Sequence, residues 1–531
     1  MPRVGKRTGR GVMAVALAAV LSVLGQGAAV TPQAVAATAC AGAQSDFNGD
    51  GIRDVAIADP EATVSGKERA GLIRIVYGGG KGTFELSQDS PEVSDGAETG
   101  DQFGFSFAVY DANLDGCSDI AVGIPYEDIN LVGNTIKDAG LVHLIYGSPA
   151  GIASGGQGSY GFRQGSDGKL GGGYEAEDWV GYAVAAGKSA TGFPFLVIGV
   201  PGEDGAGGAD MGMIHYVYGT AYDVASVSQD TTGVWEEAEA YDRFGASISA
   251  TDRHFVVGAP GESIGAVESA GGVIAFRPSI NSLGVPDPLF GMGQGRTPGP
   301  DTAAQVDDRY GTSLATAPYR PASAATTTDS LLAVGVPGED LSTTVDAGAV
   351  HLYHIKADGT VTLLKWIDQN QPGVEGDTEA GDFFGQRLAA VNTATNVVST
   401  ATTMRLAVGV PGRGVHRGVP GGGRRTAVLD ARRARRRRQL DRTRRRHSVP
   451  PGSPHARRHG PRREPGLALR RHSLRARRGK GRPRLRVEHA ERRCAHPDLE
   501  AGRRRNPGGE RCVRRARALT AQVKVRGETS Q

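Results

Sequence analysis

The sequence predicts an all-β protein, a β-propeller of small antiparallel sheets, and three observations carry that prediction. A Gly-x-Pro tripeptide closes a short apolar run at Gly123-Ile124-Pro125, Gly199-Val200-Pro201, Gly258-Ala259-Pro260, Gly335-Val336-Pro337 and Gly409-Val410-Pro411, with Ala58-Asp59-Pro60 as a degenerate first copy. An aromatic–glycine pair precedes most copies: Phe103-Gly104, Phe244-Gly245, Tyr310-Gly311 and Phe384-Gly385, with Val180-Gly181 as a weaker form. A second alternating apolar run follows every copy but the last, as in Gly71-Leu72-Ile73-Arg74-Ile75-Val76-Tyr77 and Gly140-Leu141-Val142-His143-Leu144-Ile145-Tyr146. The six prolines lie about 70 residues apart on average, a period that marks a repeat architecture.

From the N-terminus, Arg3, Lys6, Arg7 and Arg10 precede an uncharged apolar stretch from Gly11 to Val30, and Ala34-Val35-Ala36 reads as a cleavage site. This pattern predicts a signal peptide over residues 1–36 and a secreted product. Gly25, Gln26 and Gly27 break the apolar stretch and argue against a membrane anchor. Lipid anchoring at Cys40 is disfavoured because Ala37, not Leu, stands three residues before it. No later stretch is long and apolar enough to span a bilayer.

Two nine-residue segments follow, Asp46 to Asp54 and Asp111 to Asp119. Each places oxygen side chains at positions 1, 3, 5 and 9: Asp46, Asn48, Asp50 and Asp54, then Asp111, Asn113, Asp115 and Asp119. Position 6 is glycine, and position 7 (Ile52, Cys117) would contribute its backbone carbonyl. This order of ligands predicts calcium. The position-12 glutamate of an EF-hand is replaced by Ile57 and Val122, so the loops are short and feed strands. A pair of solvated acidic turns is the alternative.

Past the signal region no segment shows sustained helical periodicity, and each unit reads as strand, turn, strand, turn, strand. One such sheet cannot bury both faces alone. Units stacked face to face as propeller blades can. The paired glycines would permit close backbone approach between blades, and the proline would end a strand where no ladder donor is needed.

The aromatic-Gly … Gly-x-Pro pattern, with an Asp-rich loop between its halves, resembles the FG-GAP repeat of integrin α subunits and their bacterial relatives. The resemblance covers residues 41–412 and implies a seven-bladed propeller, of which about six repeats are recognisable. It implies calcium roles for the same loop residues. The segments before Gly199, Gly258, Gly335 and Gly409 lack these carboxylates, so two calcium sites are expected rather than four.

The formal charge of +4 hides two opposite parts. Residues 413–531 hold 36 Arg and two Lys against nine acidic residues, whereas the rest carries 23 basic and 48 acidic residues. The C-terminal part contains no Phe, Tyr or Trp and no recognisable strand. Three Gly-x-Pro-Gly copies continue with Glu203, Glu262 and Glu339, but Arg413 follows Gly412. Residues 413–531 read as a disordered Arg-rich tail. Out-of-frame translation explains the excess of Arg over Lys, since a one-base slip in a GC-rich gene creates CGN codons. A nucleic-acid-binding arm and a plain solvated tail are the alternatives. A ring lacking its last blade would leave two blade faces uncovered.

Cys40 and Cys117 are candidates for a disulfide if the two loops lie on adjacent blades of an exported protein, or else two separate thiols. Cys494 and Cys512 lie in the basic segment. His143, His215 and His351 occupy one repeated strand position, which argues for packing or surface roles. His351 and His354 point to opposite faces and make a poor metal pair. Glu203-Asp204 and Glu339-Asp340 read as turn residues, and no G-x-S-x-G elbow is present. The expectation is a non-enzymatic binding or adhesion module for an extracellular protein or glycan, with no specific nucleic acid and no membrane span after signal cleavage. A secreted hydrolase built on or beside such a propeller is the alternative.

Overall fold

The computed structural model describes residues 40–412, apart from 167, 297, 301 and 375, and the backbone of 426–429. The signal peptide expected over 1–36, and the expected tail over 413–531 apart from 426–429, lie outside the described residues. Among the described residues the chain forms antiparallel sheets, one 3-10 turn at Gly78–Gly80 and no α-helix. No helix there is long and apolar enough to cross a membrane.

Sheet I contains β1 (Val55–Asp59), β2 (Leu72–Val76) and β3 (Thr83–Leu86). Sheet II contains β4 (Ser106–Tyr110) and β5 (Asp119–Ile124), then, beyond a small hairpin of β6 (Ile129–Leu131) and β7 (Asn134–Ile136), β8 (Leu141–Ile145) and β9 (Tyr160–Phe162). Sheet III is β10 (Val184–Lys188), β11 (Pro194–Val200), β12 (Met213–Tyr218) and β13 (Asp223–Val227). Sheet IV is β14 (Ser247–Ala250), β15 (Phe255–Ala259), β16 (Gly272–Ile280) and β17 (Pro286–Met292). Sheet V is β18 (Ser313–Tyr319), β19 (Asp329–Val336), β20 (Ala349–Ile355) and β21 (Val361–Ile367). Sheet VI is β22 (Arg387–Asn392), β23 (Met404–Gly409) and β24 (Thr426–Leu429).

Sheets II to V thus have four strands each, one more than the repeat pattern announces. The extra outermost strand (β9, β13, β17 or β21) carries little apolar alternation. β24 lies in the basic segment, where the sequence shows no strand. It pairs in antiparallel register with β23, Leu406 opposite Leu429, because four residues suffice to meet the backbone groups of that edge.

Consecutive sheets pack face to face. Ile73 and Ile75 of sheet I meet Ile120, Val122 and Leu141 of sheet II. Val142 and Leu144 meet Leu196 and Ile198 of sheet III. Phe195 and Tyr216 meet Phe255 and Phe276 of sheet IV, with the Tyr216 and Phe255 rings 5.5 Å apart and nearly parallel. Val256 and Val273 meet Leu332 and Tyr353 of sheet V, and Val350 and Ile367 meet Leu406 and Val408 of sheet VI. Middle strands such as β5 and β11 are buried along their whole length because both faces are covered. Each large side chain enclosed this way contributes about 1.5–3 kcal/mol.

The repeated motif glycines stand at these junctions. Side chains at Gly123, Gly199, Gly258 and Gly335 would run into the carbonyl oxygens of Gly181, Gly245, Gly311 and Gly385 in the next sheet. The four partner glycines have φ between 84° and 100°, a region L-residues seldom adopt. Ser106, Ser247 and Ser313 donate to the carbonyls of Gly181, Gly311 and Gly385 at 2.7, 2.6 and 2.5 Å.

Candidate metal centre

Each acidic segment sits immediately before a strand that ends in the Gly-x-Pro site or its degenerate form, β1 and β5. The two loops share one backbone path. Position 4 is left-handed in both (Gly49, φ 67°; Leu114, φ 62°), as is the glycine at position 6 (Gly51, φ 84°; Gly116, φ 89°).

They also share one hydrogen-bond scheme. Asp46 accepts the N–H groups of Asp50 and Gly51 at 3.1 and 2.7 Å, and Asp111 accepts that of Gly116 at 3.2 Å. Asn48 and Asn113 accept from Asp50 and Asp115 at 3.1 and 3.0 Å, and those two acids accept from Ile52 and Cys117 at 2.7 and 2.8 Å. Such successive bonds turn side-chain oxygens toward a common centre.

Position 9 does something the sequence does not announce. Asp54 accepts from the amides of Phe47 and Gly78, at 2.8 and 2.7 Å, and Asp119 from those of Ala112 and Gly147, at 2.9 Å each. Each therefore staples the loop to the glycine two residues past the next long strand, β2 or β8. Carboxylate oxygens bonded this way keep further lone pairs for a cation. Burial pushes the Asp119 carboxyl up to about 7, with Asp115 and Asp111 adding repulsion. Burial also raises Asp54 and Asp111.

The donor set fits a hard cation. Asp111 Oδ1 is buried without a hydrogen-bond partner, and the surrounding carboxylates repel one another. Asp46, Asn48 and Asp50 with the Ile52 carbonyl, and Asp111, Asn113 and Asp115 with the Cys117 carbonyl, would hold calcium, with Asp54 and Asp119 behind them. The loops differ in their charged surroundings. Lys81 Nζ lies 2.8 Å from Asp50 Oδ2 and holds that carboxyl below its ordinary value, which no local spacing could reveal.

The loops are neighbours. The Ser118 N–H donates to Asp46 O at 2.9 Å, and the Gly42 N–H to Gly116 O at 3.0 Å. Cys40 and Cys117 form a disulfide with Cα atoms 5.0 Å apart. Their sulfurs lie near an Asp115 oxygen, but a disulfide offers no thiolate, so these three do not make a metal site.

His143, His215 and His351 are enclosed between sheets, and burial depresses their imidazoles to about 4, 3 and 4. His215 bonds Ser226 Oγ at 2.9 Å, while His354 faces away to meet Asp329 at 2.7 Å.

With this geometry in hand, the likeness to known proteins is concrete. The FG-GAP-like repeat family matches residues 46–122, and the FG-GAP repeat family matches residues 103–145. Over 116 residues the chain is 31% identical to phosphatidylinositol-glycan-specific phospholipase D of Rattus norvegicus, spanning 21% of this chain and 13% of that protein. Over 114 residues it is 34% identical to integrin alpha-PS2 of Drosophila melanogaster, spanning 20% of this chain and 8% of that protein. Among solved structures, the periplasmic gluconolactonase of Pseudomonas aeruginosa aligns with a TM-score of 0.31 and 12% identity, covering 66% of this chain and 74% of that one. Residues 46–145 thus carry FG-GAP repeats, and the described residues form an all-β fold. Over 114 residues the chain resembles an integrin alpha.

Proposed function

We propose that this chain is a secreted, calcium-braced propeller that serves as a binding or adhesion module for an extracellular protein or glycan. The observation that carries this reading is the acidic loop built twice with one hydrogen-bond scheme and a buried, unpartnered carboxylate oxygen at Asp111. Calcium would neutralise each cluster and stiffen the loops, leaving the remaining turns to present a recognition surface. Neither sequence nor loop chemistry calls for a specific nucleic-acid partner.

Melting the purified protein with excess calcium and with chelator tests the metal. Calcium is expected to raise the melting temperature, and Asp50→Ala combined with Asp115→Ala to abolish the shift. An identical melting curve in both buffers would remove calcium from the account.

A second reading, a hydrolase, draws on the likeness to phosphatidylinositol-glycan-specific phospholipase D, although the match spans 13% of that protein. Turnover of ester, glycan or phosphodiester substrates by the purified chain would favour it. Inactivity across these classes is the outcome the binding reading expects.

A further inference from the structure

Four sheet junctions carry the same polar group, buried at three of them and part-buried at Gln164–Glu203. Gln88 Nε2 donates to Glu127 at 2.7 Å, Gln164 to Glu203 at 2.5 Å, Gln229 to Glu262 at 2.7 Å and Gln294 to Glu339 at 2.6 Å. Each glutamine stands two residues past the outermost strand of one sheet, and each glutamate follows the Gly-x-Pro turn of the next. The partners are 33 to 45 residues apart.

An aspartate lies within electrostatic reach of each glutamate, two residues before the first member of the next aromatic–glycine pair or its weaker form: Asp101, Asp178, Asp242 and Asp308. Its Oδ2 accepts an amide N–H three residues upstream, at 2.5, 3.0, 2.7 and 2.6 Å in turn. The four aspartates and the four glutamines are at most 2% exposed. All four glutamine Oε1 atoms, and Oδ1 of Asp178, Asp242 and Asp308, are buried acceptors without a partner.

Each group therefore holds two carboxyl groups and an excess of acceptors. Two enclosed carboxylates cannot both stay ionised cheaply, and a buried acceptor without a donor loses the hydration it had in the unfolded chain. One proton supplies both the missing neutralisation and the missing donor.

We propose that each of these four junctions is closed by one proton shared between the glutamate (127, 203, 262 or 339) and its aspartate, with the glutamine amide clamping the pair. Deprotonation releases the proton to solvent and leaves two facing carboxylates, so cohesion between sheets weakens in base. The groups facing Glu127 are Gln88, Asp95, Glu98 and Asp101, and those facing Glu203 are Gln164, Glu175, Asp178 and Asp204. Glu262 faces Gln229, Glu236, Asp242 and the Arg296 guanidinium, 3.9 Å away, and Glu339 faces Gln294, Asp308 and Asp340.

Burial, followed by neighbouring acids, lifts Glu127 to about 9 and Glu262 and Glu339 to about 8. These values exceed the roughly 4.3 of an unfolded glutamate. The stabilisation is thus fully present below that value and is lost progressively as pH rises toward 8 to 9. The fifth junction is an internal contrast. Gln369 and Asp382 are in place, but Arg413 holds the glutamate's position in the sequence, and Gln369 Nε2 donates instead to the Asp377 carbonyl at 3.4 Å.

The test is melting of the full chain from pH 5 to 9 at constant calcium, for wild type, Glu127→Gln, Glu339→Gln and the double variant. Glutamine copies the shape of a protonated glutamate without its titration. The double variant should match wild type in acid, exceed it above pH 8 and lose about half of the pH slope. An unchanged slope, or a lower melting temperature at every pH, would overturn the proposal. Infrared spectra at neutral pH give a second readout: a protonated-carboxyl C=O band that weakens in each variant supports the shared proton, and its absence from wild type refutes it. Stabilisation by sodium over choline at pH 8.5 that disappears in the double variant would assign the group to a cation instead.

Discussion

The first two sheets and those that follow meet each other by the same rules but close their turns differently. Before β1 and β5 the chain makes a nine-residue acidic loop, and the Cys40–Cys117 disulfide ties the second loop to the segment just ahead of the first. Between β10 and β11, and between β14 and β15, a tight hairpin does the same job, with Ser189 bonded to Phe193 at 2.7 Å and Thr251 to His254 at 2.8 Å. Junction chemistry is therefore the constant of this repeat, and turn chemistry its variable. Acidic turns bring repulsion that calls for a cation or a covalent tie, whereas hairpins satisfy themselves.

Gly258→Val attacks the constant and should have the largest effect. The new side chain would meet the Gly311 carbonyl and Ser247 Oγ, costing more than about 4 kcal/mol or preventing soluble expression, as read by yield and circular dichroism. Normal melting of this variant would show that glycine contact is not what joins the sheets. Cys117→Ser attacks the variable. Opening a crosslink between residues 77 apart should cost about 4–5 kcal/mol, and hydrogen exchange should rise in β1 to β5 more than in β14 to β20. Uniform exchange across both regions would erase the contrast.

Ser313→Ala removes the bond to Gly385 and should cost about 1 kcal/mol by thermal melting. Arg74→Ala breaks a half-exposed pair with Glu85 on sheet I and should cost less than about 1 kcal/mol, the smallest change of the set. A larger loss there would mean that sheet I depends on its surface far more than its neighbours do.

What the sequence made legible follows from locality. Gly-x-Pro and aromatic–glycine signals lie within single strands and turns, and they placed the junction glycines correctly. The acidic loops were readable because their donor atoms lie within nine residues. The short outer strand Tyr160–Phe162 left no pattern because three residues cannot show a period. Lys81, the Gln–Glu pairs and the Gly78 and Gly147 amides that hold Asp54 and Asp119 depend on contacts tens of residues apart, to which local spacing is blind. Glu203 and Glu339 read as turn residues, and their backbone does turn, but their side chains reach back into the previous junction. The Cys40–Cys117 pairing stayed open in the sequence because only the adjacency of the loops decides it.

That crosslink ties one corner of the fold to an external condition. Oxidation fastens Cys117, inside the second acidic loop, to Cys40, six residues ahead of the first. A thiol-rich compartment would leave this corner slack. Passage to an oxidising one would tighten it, making the state of the first repeats a record of the redox conditions the chain has met.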